Sequence, residues 1–138
     1  MPKRLSRKPK RNLLHTLLAH AGQVMSILGK GHTERVYHRA MITALNRAGT
    51  RFRSEVLSPI YFMGDVVGFG RCDLVIGDLV VEFKANRLPP KRASSQLQKY
   101  LDSAGAGSKG VILNFNQRTG RIDVHKPKQP SKRTKASR

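Results

Sequence analysis

The sequence predicts an α/β sandwich, a mixed sheet covered by helices, with elements in the order α-α-β-β-β-α-β-β. Three observations predict it. Two stretches with helical apolar spacing come first, a pair of β-rich runs then meets across Gly77-Asp78, and a further helical stretch separates that pair from two last β-rich runs.

From Leu13 to Leu28, apolar residues fall at 13, 14, 17, 18, 21, 24, 25 and 28, the rhythm of an amphipathic helix, and Gly29-Lys30-Gly31 breaks it. His15 and His20 are five residues apart, so they do not share a face as an i, i+4 metal pair would; they read as surface or boundary residues. A second helix starts near Thr33, an N-cap residue type, and ends before Gly49. Its stripe is Tyr37, Ala40, Met41, Ala44, Leu45 and Ala48, with Glu34 at the head. That carboxylate either complements the helix dipole or points inward to a shared ion or basic group.

Arg51 to Phe62 reads as an extended segment in which Pro59 marks an edge or a bulge. Gly64-Asp65 signals a hairpin turn, and Val66 to Phe69 leads into the central hairpin. There, Leu74 to Ile76 and Leu79 to Phe83 flank Gly77-Asp78, a pair suited to a type II′ turn. This fixes a register in which Ile76 faces Leu79, Val75 faces Val80, Leu74 faces Val81 and Asp73 faces Glu82. One face then carries Arg71, Asp73, Glu82 and Lys84, and the other Leu74, Ile76, Val81, Phe83 and Ala85. Opposed carboxylates about 5 Å apart at Cβ repel unless positive charge lies between them. A divalent cation and a solvated salt network with Arg71 and Lys84 are both open answers from the hairpin alone.

Pro89-Pro90 ends regular structure, and Lys91 or Arg92 opens a third helix with apolar positions Ala93, Leu97, Tyr100, Leu101 and Ala104. Its other face offers Arg92, Gln96 and Lys99, either donors for phosphate oxygens or a solvated polar face. Gly105 to Ser108 closes the helix. Gly110 to Phe115 reads as a buried strand, Asn116 to Gly120 as a turn, and Arg121 to His125 as a final strand with Ile122 and Val124 inward.

A chain of 138 residues allows one domain. It carries 27 Lys+Arg against 8 Asp+Glu, a net charge of +19, which predicts attraction to polyanions, nucleic acid first and an anionic membrane surface second. Residues 1–11 and 126–138 each hold six Lys/Arg and two Pro and read as disordered basic tails around a folded region 12–125. Without the tails the middle keeps fifteen basic and eight acidic residues. Lys3, Arg4, Lys8, Lys10, Arg11, Lys132 and Arg133 form clusters suited to nucleic-acid backbone. The acid-free first 33 residues share a feature with organellar transit peptides, but dense clusters fit a nucleic-acid-binding arm better. No apolar run approaches the roughly 20 residues of a membrane span, so no membrane insertion is expected. Cys72 alone excludes an internal disulfide and a cysteine-rich zinc site, and a reducing intracellular compartment is expected: cytoplasm, nucleus, or association with packaged DNA.

Gly31-His32-Thr33-Glu34-Arg35-Val36-Tyr37 fits a G-x-x-E-x-x-Y signature, and Asp73 with Glu82-Phe83-Lys84 resembles the D…(D/E)-x-K core of the PD-(D/E)xK nuclease superfamily. Gln96-Leu97-Gln98-Lys99-Tyr100-Leu101 is similar to the Q-L-x-x-Y-L helix of the GxxExxY proteins, so the resemblance spans about Leu13 to Phe115. It departs at Cys72, where the superfamily's name has proline, and in the long basic tails. The resemblance implies a restriction-endonuclease-like fold, with Asp73 and Glu82 as ligands of Mg²⁺ (or Mn²⁺) and Glu34 as a further carboxylate. It places Lys84 beside the attacking water and lets Gln96 orient the substrate phosphate or that water. The implied activity is metal-dependent hydrolysis of phosphodiester bonds; DNA is expected ahead of RNA, and Arg71, Arg92, Lys99 and the chain's own basic tails are expected to bind the backbone. The alternative is a non-catalytic DNA-binding or packaging protein on a nuclease scaffold. A homodimer that cuts two strands is left open.

Overall fold

The computed structural model describes residues 12–104 and 107–128. Eight elements follow in the expected order: α1 (Leu13–Leu28), α2 (Glu34–Arg47), β1 (Arg53–Phe62), β2 (Asp65–Ile76), β3 (Leu79–Lys84), α3 (Ser95–Ala104), β4 (Lys109–Phe115) and β5 (Ile122–His125). The strands form one sheet in sequence order, with β3 and β4 parallel and the other neighbours antiparallel. The parallel pair requires a crossover, which α3 supplies. The result is the α/β sandwich with a mixed sheet that the sequence predicts.

Each face of the sheet has its own core. Leu17, Ala21, Val24 and Met25 of α1 and Tyr37, Met41 and Leu45 of α2 bury against Leu74, Ile76, Val81, Phe83, Val111, Leu113 and Phe115. On the opposite face, Leu97, Tyr100 and Leu101 of α3 cover Cys72, Val75, Val80 and Ile112. Burial pushes the Cys72 thiol above its ordinary pKa, as expected of a packed, unreactive cysteine. The helix stripes therefore mark the core directly, although Ala48 at the end of the α2 stripe is exposed.

The central hairpin has the predicted register, Ile76 with Leu79, Val75 with Val80 and Leu74 with Val81. Gly77 supplies the positive φ of 56° that a type II′ turn needs at its first position. Here the ladder stops. Instead of pairing across with Glu82, Asp73 uses Oδ2 to accept the Phe83 N–H at 2.8 Å.

Five details depart from expectation. The first hairpin turns at Met63-Gly64, both at positive φ (50° and 86°), and Asp65 already pairs with Phe62. Both central residues at positive φ are the signature of a type I′ turn. Pro59 does lie on the edge strand, but the register shift comes between Ile60 and Tyr61. The third helix begins at Ser95, not at Lys91 or Arg92, because Ser94 Oγ accepts the Leu97 N–H at 3.1 Å and caps it there. Val124 is 41% exposed rather than inward, on an edge strand of only four residues. Thr33 occupies the N-cap of α2 but makes no side-chain capping bond.

Candidate active site

Glu82 is the centre of the site. As the fourth residue of β3 it is carried into the sheet, only 8% exposed. Its Oε1 accepts a hydrogen bond from Ser94 Oγ at 2.6 Å and lies 3.7 Å from Lys84 Nζ. Its Oε2 is buried and has no hydrogen-bond partner among the described residues. A buried carboxylate oxygen left without a donor costs about 1–3 kcal/mol, so the site calls for a cation or a water at this oxygen.

Asp73, Glu34 and Lys84 share this electrostatic neighbourhood. Glu34 is exposed as a residue, yet partial burial of its carboxyl pushes it above its ordinary pKa; Lys84 opposes this, while the negative charges of Asp73 and Glu82 add to it. Glu34 opens α2, which packs on the other face of the sheet from α3. Its place at the helix start lets it act on charges carried by β2 and β3. Three carboxylates with one lysine among them leave a deficit of positive charge.

The turn that presents Glu34 is tied down by side chains. Tyr37 Oη donates to Gly29 O at 2.7 Å and accepts from Gln117 Nε2 at 3.0 Å, while Gln117 Oε1 accepts the Gly31 N–H at 2.6 Å. The Tyr37 ring stacks on Phe115, centroids 4.6 Å apart and planes within 8°. The link after β4 thereby fixes the link between α1 and α2.

Arg71 does not neutralise the carboxylates. It is exposed and pairs with Glu55 at 3.9 Å. Glu55 takes a positive φ of 51° where the β1–β2 ladder skips a pair, between Ser54–Leu74 and Val56–Cys72. Cys72 and Val75, three residues apart, lie in the same core cluster, so strict alternation is broken between them. That break separates Arg71 from the face predicted for it. Gln96 is exposed in the first turn of α3, Lys99 is exposed further along it, and Arg92 is exposed in the segment before it. Lys3, Arg4, Lys8, Lys10, Arg11, Lys132 and Arg133 lie outside the described residues.

Sequence reasoning missed two residues here. Ser94 is legible afterwards as a helix cap three residues before Leu97. His38, one turn beyond Glu34, lies tilted on Phe83 at 5.2 Å, and its buried Nε2 lacks a partner among the described residues.

Among the described residues, no group of three His, Cys, Asp or Glu side chains forms a ready-made metal site. Mg²⁺ does not require one, since it binds through one or two carboxylates plus water and substrate phosphate. The hard oxygen donors of Asp73 and Glu82, the orphaned Oε2 and the deficit of positive charge all fit such an ion.

A family model described as the PD-(D/E)XK nuclease superfamily matches residues 11–126, nearly the whole described region. The chain belongs to the PD-(D/E)XK nuclease superfamily. Its architecture of three helices on a five-stranded mixed sheet is the restriction-endonuclease-like fold, and the superfamily suggests nuclease activity on a nucleic acid. PD-(D/E)XK nucleases typically use divalent metals. No curated protein and no solved structure gives a significant match. Among the described residues, no helix of this PD-(D/E)XK chain is long and apolar enough to cross a membrane.

Proposed function

We propose that the protein is a divalent-metal-dependent nuclease that hydrolyses phosphodiester bonds in DNA, from the GxxExxY branch of its superfamily. The observation that carries this reading is Glu82, with Oε1 held by Ser94 and Oε2 buried without a hydrogen-bond partner among the described residues. Asp73 and Glu82 are the residues that would hold Mg²⁺ or Mn²⁺, with Glu34 as a further carboxylate in reach of the ion's waters. Such an ion, when bound, polarises the scissile phosphate and lowers the pKa of water. Ser94 keeps the Glu82 carboxylate in one orientation. Lys84, beside Glu82 at 3.7 Å, sets a positive charge where negative charge builds up on the phosphate during attack. Gln96 orients the phosphate or the water from the start of α3. Arg71, Arg92, Lys99 and the basic clusters at 1–11 and 126–138 bind backbone phosphates and hold the duplex without reading sequence.

The +19 net charge favours a second reading, a DNA-binding or packaging protein that keeps the scaffold without the reaction. The test is cleavage of linear, circular and branched DNA with Mg²⁺, Mn²⁺ or EDTA, using the natural chain, Asp73→Asn and Lys84→Ala. Comparison is made under conditions of equal DNA binding. Metal-dependent cutting lost in both variants supports the nuclease. Equal binding with no cutting of any substrate by the natural chain supports the packaging reading instead.

A further inference from the structure

We propose that Arg87 binds a backbone phosphate of the DNA substrate, from a loop that the buried Asn114 holds in place beside Lys84; the proposal rests on the nucleic-acid reading of the site. Residues 85–93 run from Lys84, at the end of β3, to Ser94, which caps α3, so the loop begins and ends at the site. It contains Arg87, Lys91 and Arg92 and no acid. Arg87 is exposed and forms no ion pair among the described residues.

The backbone of this loop is fixed from below. Asn114 pairs in register with Lys84 on the neighbouring parallel strand and, two residues beyond Ile112, lies on the α3 face of the sheet. An apolar residue there would extend the core, yet the chain buries a carboxamide completely. Its Oδ1 accepts the Asn86 N–H at 2.7 Å, and its Nδ2 donates to the Asn86 and Leu88 carbonyls, both at 3.2 Å, and to Asp123 Oδ2 at 2.9 Å. The Gln117 N–H adds a bond to the Asn86 carbonyl at 3.0 Å. The Asp123 carboxylate is engaged by Asn114 and, at 2.8 Å, by Asn116 Nδ2, and makes no pair with Arg87.

Arg87 is thus the residue between two carbonyls bound to one buried side chain, held on both sides by its backbone while its guanidinium is left to solvent. Pro89 and Pro90 restrict the loop further through their fixed φ. A cation on a backbone already in place gives up less freedom on binding, and a guanidinium can take two phosphate oxygens at once. Three residues of chain span at most about 11 Å, and one DNA strand advances about 3.4 Å per nucleotide. The Arg87 backbone therefore stands within about three nucleotides of a phosphate placed at Lys84.

The test is the salt dependence of duplex DNA binding by the full chain in EDTA. Each phosphate contact contributes about 0.9 to the slope of log K against log salt. Arg87→Ala is expected to lower the slope by about that amount, and Arg87→Lys to retain it. Lys109→Ala, the same change of charge at the opposite end of β4, is expected to leave it unchanged. Asn114→Ala keeps every cation and is expected to lose the Arg87 contribution. An Arg87→Ala slope equal to the natural one overturns the proposal, as does an equal fall in Lys109→Ala, which marks diffuse charge instead of a placed contact. An Asn114→Ala chain with the natural circular dichroism spectrum and the natural slope overturns the role of Asn114. The slopes need no cutting, so an Arg87-dependent slope in a chain that never cuts supports the contact and sinks only the nuclease reading; a natural chain that binds no DNA overturns both.

Discussion

Ser94 Oγ donates to Glu82 Oε1 at 2.6 Å and accepts the Leu97 N–H at 3.1 Å, so one hydroxyl caps α3 and orients the buried carboxylate. Helix register and site geometry are joined at this atom.

Ser94→Ala removes both bonds. The lost cap costs about 1 kcal/mol, and loss of a group that orients a ligating carboxylate lowers activity about 10- to 100-fold. Thermal melts and single-turnover cleavage at saturating DNA check this. A fall in melting temperature with undiminished cleavage would show that Glu82 keeps its orientation without the serine.

Glu34 sets a pH dependence. Its pKa is raised in the fold, chiefly by burial, so the folded chain holds this proton to higher pH than the unfolded chain. Stability from Glu34 is thus greatest below the unfolded carboxyl pKa, declines as pH rises through the folded value, and stays reduced above it. Glu34→Gln should flatten that decline in metal-free buffer and melt no lower than the natural chain at neutral pH, while losing cleavage. Melting curves from acid to neutral pH decide it; a variant that melts well below the natural chain at neutral pH contradicts the sign.

Divalent metal should stabilise the natural chain. An ion that binds only the folded state adds about 2.7 kcal/mol at a hundredfold excess over its Kd. Mg²⁺ or Mn²⁺ is expected to raise the melting temperature of the natural chain and to leave Glu82→Gln unmoved. Scanning calorimetry with and without EDTA reads this independently of any DNA.

Tyr37 and Gln117 hold the turn before Glu34. Tyr37→Phe and Gln117→Ala are each expected to cost about 1–2 kcal/mol. The double variant should cost less than their sum, because both act on one network. A denaturant-unfolding cycle measures the coupling; strict additivity would mean the two side chains act independently.

Much of this architecture is legible in the residues. Periodic apolar positions mark α1 and α2, and Gly77-Asp78 sets the register of β2 and β3, because each rests on local spacing. Ser94 escapes such reading because its value comes from Glu82, twelve residues earlier in sequence. Arg71 misleads for a related reason. Alternation puts it beside Asp73, but Glu55 at positive φ interrupts the strand pair and draws Arg71 away. His38 gives no sequence signal at all, since its orphaned Nε2 depends on where Phe83 lies across the core.

Asp73 accepts a backbone N–H from β3, so selection for folding alone is enough to preserve an acceptor at that position. In a lineage that abandoned the reaction, an aspartate or asparagine there would persist, and its survival would say little about chemistry. Glu82 is the opposite case. Its Oε1 serves the fold through Ser94, but its buried Oε2 meets no donor among the described residues, so folding alone asks for one acceptor there and not for a carboxylate. Among descendants of this fold, a carboxylate rather than an amide at the Glu82 position is therefore the better record of whether such a reaction was retained.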